Sequence, residues 1–245
     1  MRLTVLGCSG AYPTAESGAT SYLLEADNFH LLIDAGSGTF TELRKHLDPL
    51  ELDAAIITHY HYDHIGDVGV LQYYRQLNKP EDNYRILPIY GHDQDLPHFK
   101  QLTLDGVSVG EAYNVDETLM VGPFNITFMK TIHPVPTFAL RIFERKTGKV
   151  LVFTADSGYT NKLINFSADA DVFLADTYFL NGHENHPAHL TAQETGQIAK
   201  EAHVKKVILT HLKENIDKDL LVKQTKEAFG SDQVTVAHTG AIYDI

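Results

Sequence analysis

The sequence at positions 58–67 is Thr58-His59-Tyr60-His61-Tyr62-Asp63-His64-Ile65-Gly66-Asp67. It follows a short apolar run, Ala54–Ile57, which predicts a buried strand, and it opens a segment whose spacing predicts a helix over His64–Leu77. In an extended segment His59 and His61 point to the same side, and the acid and the third histidine fall at the turn into the helix. Imidazole and carboxylate groups are ligands of zinc, manganese and iron. The stretch therefore predicts a metal site; the alternative is that these histidines only form hydrogen bonds in a polar loop.

The rest of the chain predicts alternating strands and helices in both halves, with no Pro/Gly/Ser-rich linker. The other predicted strands are Met1–Leu6, Ser21–Ala26, His30–Ile33, Ile86–Tyr90, Phe124–Met129, Phe138–Phe143, Val150–Phe153, Val172–Leu174, Val207–Leu209, Val234–Ala237 and Ala241–Tyr243. The other predicted helices are Thr39–His46, a helix from the Thr191–Glu194 capping box to about His203, and Asp217–Phe229 with Gly230 as its stop. This pattern predicts an α/β chain in one domain, residues 1–245.

Composition excludes several classes of protein. The chain has 245 residues, 43% hydrophobic and 21% charged, which are ordinary values for a globular protein. No apolar run approaches the length of a membrane span and no signal peptide is expected. The single cysteine, Cys8, forms no intrachain disulfide and predicts a reducing cytoplasm. A net charge of −12 argues against a nucleic-acid binder, and 14 histidines are the most unusual count.

The pattern His59-x-His61-x-Asp63-His64 resembles the signature of the metallo-β-lactamase superfamily. That resemblance implies a four-layer αββα sandwich with a one- or two-metal site. Four further segments resemble the family's other motifs, in the family's order: Leu32-Ile33-Asp34-Ala35-Gly36, Thr131-Ile132-His133-Pro134, Phe153-Thr154-Ala155-Asp156-Ser157-Gly158 and Leu209-Thr210-His211-Leu212. Taken singly, His133 or His211 is also interpretable as an ordinary polar residue, and Asp156 as a turn or cap residue.

The resemblance implies two divalent ions, zinc first, with manganese or iron as alternatives. It assigns to the first ion His59, His61, His133 and Asp156, and to the second Asp63, His64, His211 and the shared Asp156. It also implies that Asp34 supports a ligating histidine through that ring's other nitrogen. The remaining histidines outside the motifs (His30, His46, His92, His98, His203 and His238) are expected to be surface or structural residues.

Within the superfamily the ribonuclease Z branch is the best match. Leu6-Gly7-Cys8-Ser9-Gly10-Ala11-Tyr12-Pro13 resembles that branch's opening loop, and His186-Pro187-Ala188-His189-Leu190-Thr191-Ala192 resembles its His-x-Thr segment. The resemblance implies a dinuclear phosphodiesterase that uses a metal-bridging hydroxide, with Asp63 and His189 as catalytic residues. His183 and His186 stay open as alternatives to His189. The lactam-cleaving enzymes of the family typically use a cysteine as a ligand of the second metal. A lactamase is disfavoured here because the single cysteine, Cys8, lies outside the ligand motifs. A glyoxalase II-like thioesterase and a flavin-linked redox module are disfavoured because little chain follows His211.

Two departures from that branch bear on the substrate. Ribonuclease Z has a long insertion between the third and fourth motifs that forms a tRNA-gripping arm, and this arm is absent between His133 and Asp156 here. The phosphate-binding motif that usually follows the last histidine of that branch is replaced by Lys213-Glu214-Asn215. We therefore expect a small phosphodiester as substrate, with an RNA 3′ end as the alternative. Hydrolysis of another ester (sulfate, thioester or lactone) is the other alternative. A homodimer is expected by family analogy alone. In such a dimer the second subunit could present a basic patch around Arg141, Arg145 and Lys146 that would support RNA binding.

Overall fold

The computed structural model describes residues 1–82 and 84–245. The chain forms two compact units. The first unit comprises Met1–Asn114, Val121–Pro123 and His238–Asp244. The second comprises Val115–Met120, Phe124–Ala237 and Ile245. The expectation of a single functional domain over residues 1–245 stays a prediction.

Each unit contains one β-sheet with helices. In chain order the strands are β1 (Arg2–Ser9), β2 (Gly18–Ala19), β3 (Ser21–Ala26), β4 (Phe29–Ile33), β5 (Ala54–Ile56), β6 (Leu87–Gly91), β7 (Ser108–Ala112), β8 (Leu119–Val121), β9 (Phe124–Lys130), β10 (Phe138–Glu144), β11 (Val150–Phe153), β12 (Val172–Asp176), β13 (Val207–Thr210), β14 (Val234–Val236) and β15 (Ile242–Asp244). The α-helices are α1 (Thr39–Leu43), α2 (Tyr62–Ile65), α3 (Val68–Leu77), α4 (Leu96–Phe99), α5 (Lys162–Phe166), α6 (Ala192–Glu201) and α7 (Lys218–Phe229). Two 3₁₀ turns, Pro49–Glu51 and Lys100–Leu102, complete the assignment.

The sheet of the first unit has the order β15-β1-β3-β4-β5-β6-β7, with β2 beside β1. Strands β3 and β4 form the predicted hairpin, whose turn residues Asp27 and Asn28 have φ values of 50° and 59°. Two consecutive left-handed residues give a turn that matches the right-handed twist of paired strands. From β4 to β7 the pairing is parallel, so the carboxyl ends of β4 and β5 lie at the same edge. Leu71 of α3 is buried in the hydrophobic core of this unit.

The sheet of the second unit has the order β14-β13-β12-β11-β10-β9-β8. Strands β11 to β14 are parallel and, in β11, β12 and β13, every residue is buried. Helix α6 begins at the predicted capping box, in which Thr191 and Glu194 bond each other's backbone N–H groups. Gly196 lets α6 approach α7 closely, because a Cβ there would lie 2.5 Å from the carbonyl oxygen of Thr225.

The predicted helix over His64–Leu77 is wrong as one helix, since α2 and α3 are separate. The N–H of Asp67 donates to the carbonyl of Ala35 at 2.8 Å instead of continuing the helical ladder. The Asp67 carboxylate accepts the N–H groups of Gly38 and Phe40. The break therefore ties the metal motif to the loop that follows β4.

Two other expectations need correction. The first strand runs on to Ser9, so Cys8 lies in β1 and not in the opening loop. The sequence also gave no signal for β7 and β8, because both are short edge strands with few buried side chains. Among the described residues, no helix has the length and apolar character needed to cross a membrane.

Candidate metal centre

The first unit brings together the four side chains of the sequence motif. Strand β5 ends before it, and His61 keeps extended backbone angles as the residue before α2. His59 and His64 are fully buried, with ring centroids 4.0 Å apart. His59 Nε2 lies 3.2 Å from His61 Nδ1, and His64 Nε2 lies 3.7 Å from Asp63 Oδ2. The motif therefore forms one cluster of three imidazoles and a carboxylate.

Asp34 fixes the orientation of one ring in this first cluster. Its Oδ2 lies 2.7 Å from His64 Nδ1, and it also accepts the N–H and hydroxyl of Thr58, each at 2.8 Å. Burial raises the pKa of Asp34, although His64 and Thr58 oppose that shift. With Nδ1 of His64 holding its proton toward Asp34, Nε2 is the nitrogen that presents a lone pair to a metal.

The opening loop positions Asp63. The backbone N–H of Ala11 donates to Asp63 Oδ2 at 2.8 Å, and Ala11 has a left-handed φ of 67°. Asp63 is 8% exposed. The opening loop thus holds one carboxylate oxygen of the candidate catalytic residue Asp63.

The second unit brings the later motif residues together at the ends of its strands. His133 follows β9, Asp156 follows β11 and His211 follows β13. Asp156 contacts both histidines, with Oδ2 3.8 Å from His133 Nε2 and Oδ1 3.2 Å from His211 Nδ1. His133 Nδ1 lies 3.2 Å from the carbonyl of Ala188, which leaves Nε2 as its ligand nitrogen. One carboxylate therefore reaches two imidazoles.

Asp176 is the site residue that sequence reasoning missed. It ends β12, is fully buried, and places Oδ2 2.9 Å from His189 Nδ1. The N–H of Ser157 donates to the same oxygen at 3.1 Å, and Oδ1 lies 3.4 Å from His211 Nδ1. Its position after the apolar run Val172–Ala175 repeats the strand-end pattern of Asp156 and was the available signal.

The structure separates His189 from its two competitors. Burial would lower the pKa of His189, but the charge and hydrogen bond of Asp176 outweigh it, so the pKa is raised. His186 stacks on His189 at 5.8 Å, and burial together with that neighbour lowers the pKa of His186. His183 is exposed and packs on Phe179 at 4.9 Å. His189 is thus the one of these three histidines whose ring the buried Asp176 orients.

The donor sets of both clusters fit divalent metal ions. In the second unit, side-chain nitrogen and oxygen atoms of Asp156, Asp176, His189 and His211 lie within 4.8 Å of one another, and because His189 Nδ1 bonds Asp176, Asp156 and His211 are the pair we take as metal donors. Oδ1 of Asp176 is buried and accepts no hydrogen bond from the described residues, as expected for an oxygen near a cation. All of these donors are nitrogen and oxygen, the set that zinc, manganese and iron share.

Comparison with known proteins gives consistent results. Residues 30–212 match the family described as Beta-lactamase superfamily domain. The chain is 39% identical to "Probable metallo-hydrolase YhfI" of Bacillus subtilis over 100% of both chains. The crystal structure of YhfI superposes with a TM-score of 0.94 at 38% identity, covering 99% of each chain, which confirms the predicted metallo-β-lactamase fold. The chain is also 26% identical to "Ribonuclease Z" of Archaeoglobus fulgidus, covering 93% of each.

Proposed function

The chain belongs to the β-lactamase superfamily, in its ribonuclease Z-like branch, and from that premise we propose that it is a metal-dependent phosphodiesterase. The relative YhfI, named a probable metallo-hydrolase, supports hydrolytic chemistry at a metal centre. The observation that supports a phosphodiesterase in particular is the 2.9 Å contact between His189 and Asp176. A histidine oriented by a buried carboxylate is a positioned proton donor, and the leaving oxygen of a phosphodiester needs one.

We infer a ligand set drawn from both clusters. The first ion takes His59, His61, His133 and Asp156, and the second takes Asp63, His64, His211 and Asp156. Zinc is the first choice, with manganese or iron as alternatives. When bound, the ions lower the pKa of a water nucleophile and stabilise charge on the nonbridging phosphate oxygens.

The side chains then act on water and on the leaving group. Asp63, held through Oδ2 by Ala11, orients the attacking water and takes its proton. The water oxygen forms a bond to phosphorus, and the bond from phosphorus to the leaving oxygen breaks. His189 acts as the imidazolium, because Asp176 accepts its Nδ1 proton and raises its pKa, and it donates its second proton, on Nε2, to that oxygen. Proton gain and loss therefore balance within one turnover.

A small phosphodiester is the substrate that these features favour. The chain between His133 and Asp156 consists of the β10–β11 hairpin and short connecting loops, so no long arm is inserted there. The second candidate substrate is an RNA 3′ end, which the relatives named ribonuclease Z support.

A panel of chromogenic esters tests the reaction type. The zinc-loaded protein is assayed with bis(p-nitrophenyl) phosphate, p-nitrophenyl sulfate and p-nitrophenyl acetate, which share one leaving group. We expect kcat/KM to be highest for the phosphodiester and to vanish after chelation. A higher value for the sulfate or the carboxylic ester would replace the phosphodiesterase with the corresponding hydrolase. Thiol release from thioesters and opening of lactones complete the panel.

A further inference from the structure

A pocket of about 340 Å³ lies beside His189 in the second unit. Two loops form it: the loop after β12 contributes Tyr178, Phe179 and His183, and the loop after β13 contributes Lys213, Glu214 and Asp217. Tyr178 connects the pocket to His189, since its ring stacks on the His189 ring with centroids 4.9 Å apart and planes at 29°. A phosphodiester whose phosphorus lies near His189 would therefore direct one of its ester groups into this pocket.

One wall of the pocket is aromatic and rigidly attached. Phe179 packs against Tyr178 and against His183, in each case with ring centroids 4.9 Å apart. The backbone of Phe179 is fixed on both sides, because its N–H donates to Leu190 and its carbonyl accepts from Ala192. The partly exposed ring is thus held in place by main-chain bonds that do not depend on the side chain.

The wall formed by the loop after β13 is polar but poorly suited to a second phosphate. It carries one cation, Lys213, whose Nζ lies over the Phe179 ring, 5.9 Å from its centre. It also carries the carboxylates of Glu214 and Asp217, and Asp217 caps α7 by accepting the N–H of Leu220. Two acids against one base disfavour another anion. A neutral planar group that donates and accepts hydrogen bonds, such as a nucleobase, matches both walls.

We propose that this pocket is a nucleobase subsite, so that the preferred phosphodiester carries a nucleoside on its phosphorus and Phe179 sets that preference. The inference rests on the proposed phosphodiesterase function. Small-ligand pockets span roughly 300–1,000 Å³, and this one is at the lower end, so it accommodates one base and not an oligonucleotide. Stacking of a base on an aromatic side chain changes affinity by roughly 5- to 150-fold.

Three esters with the same leaving group measure the preference. Methyl p-nitrophenyl phosphate, phenyl p-nitrophenyl phosphate and thymidine 5′-(p-nitrophenyl phosphate) differ only in the group that would enter the pocket. We expect kcat/KM for the thymidine ester to exceed that of the methyl ester by about 10-fold or more. A phenyl ester hydrolysed with the same kcat/KM as the thymidine ester would show that the pocket prefers any aromatic ring, and this result would overturn the nucleobase assignment.

Phe179→Leu keeps an apolar side chain but removes the ring. We expect this variant to lower the thymidine-to-methyl ratio by about 5-fold or more, through KM and not through kcat. Phe143→Leu is the matched control, because Phe143 is a part-exposed phenylalanine on β10 of the same unit. That control should keep the wild-type ratio. A ratio near one in the wild type, or one that Phe179→Leu leaves intact, would overturn the subsite.

Saturation-transfer NMR with thymidine gives a readout that does not depend on turnover. We expect transfer to the base protons in the zinc-loaded wild type and in Phe143→Leu, and its loss in Phe179→Leu. If the methyl ester is hydrolysed but thymidine receives no transfer, the subsite is wrong and the phosphodiesterase stands. If no phosphodiester is hydrolysed but transfer depends on Phe179, the phosphodiesterase is wrong and a base-binding pocket remains.

Discussion

Asp176 holds His189: Oδ2 of the buried carboxylate lies 2.9 Å from Nδ1 of the imidazole. The same carboxylate accepts the N–H of Ser157, the residue after Asp156. The histidine that we propose to act on substrate is thereby linked to the turn that carries the proposed metal ligand Asp156. The link is possible because Asp156 follows β11 and Asp176 ends β12, and these two strands pair in parallel.

His189→Ala should slow hydrolysis of bis(p-nitrophenyl) phosphate by roughly 100-fold or more, the usual scale for one general acid. Metal content should stay unchanged, because the proposed ligand set does not include this residue. Steady-state kinetics and metal analysis on the same preparation measure both. His238→Ala, at an exposed histidine, is the control. A larger loss in His183→Ala or His186→Ala would transfer the role to that histidine.

Asp156→Ala should lower activity by several orders of magnitude, more than His64→Ala or His211→Ala. Its two oxygens face different histidines, His133 and His211. Loss of a bridging carboxylate would leave two cations repelling each other at short range. Metal analysis should find about two ions per chain in the wild type and fewer in this variant.

The matched control for Asp156 is Asp232→Ala, whose side chain is 93% exposed. It should keep the wild-type metal content and rate. If Asp156→Ala retained both ions and most activity, Asp156 would be a structural residue. A wild-type protein that takes up no zinc, manganese or iron would overturn the dinuclear assignment.

Asp34→Asn should weaken metal binding by about 10- to 100-fold without removing a ligand. Asparagine suits the left-handed φ of 55° at this position, so the turn is kept while the charge beside His64 is lost. Competition with a chromogenic chelator measures the affinity. Asp53→Asn is the control, since the Asp53 carboxylate accepts the backbone N–H of His30 and pairs with Arg85 away from the motif. Equal affinities in Asp34→Asn and wild type would limit Asp34 to a folding role.

Asp171→Asn should lower the free energy of unfolding by about 1–3 kcal/mol at pH 7. Burial opposes ionisation of Asp171, but Lys205, the N–H of Val150 and Lys149 outweigh it, so its pKa is lowered in the folded protein. A carboxylate with a depressed pKa stabilises the fold above its unfolded pKa of about 3.9. That contribution is lost as the pH falls through the folded value.

Urea unfolding of the chelated proteins at several pH values measures this effect. The difference between wild type and Asp171→Asn should shrink below about pH 4. Asp244→Asn, at an 84% exposed carboxylate, should change stability by less than about 0.5 kcal/mol. A difference that did not shrink at all as the pH falls below about 4 would mean that Asp171 acts through packing or neutral hydrogen bonds instead of its charge.

The features that sequence predicted best are those with local causes. The turn at Asp27-Asn28, the capping box at Thr191 and the stop at Gly230 each depend on a few adjacent residues, and the structure has all three. The clustering of His59 to His64 follows equally from strand-end and helix-start geometry over a short span.

The features that sequence missed depend on distant partners. The break between α2 and α3 occurs because Ala35, far along the chain, accepts the N–H of Asp67. Asp176 acquires a role only once β12 lies between β11 and β13. Edge strand β7 has an alternation too weak to stand out, because most of its side chains are exposed. No window of sequence contains these partners together.

The last prediction concerns substrate size. Sequence-independent affinity for nucleic acid comes mainly from cations that displace counterions at phosphates, and this chain has a net charge of −12. Arg141, in the stretch that would supply a basic patch, donates instead to the carbonyls of Phe166 and Ala168. The short hairpin between His133 and Asp156 also offers no arm for tRNA.

We therefore expect the zinc-loaded protein to hydrolyse bis(p-nitrophenyl) phosphate while removing precursor tRNA 3′ trailers at a far lower kcat/KM. Both assays should use one preparation at low and at physiological salt, because weak RNA binding by a few cations would be lost as salt rises. Trailer removal that matches the small-ester rate at physiological salt would establish the RNA substrate instead. Since a homodimer is the arrangement in which a partner's basic residues could supply that affinity, the oligomeric state should be measured by light scattering on the same sample.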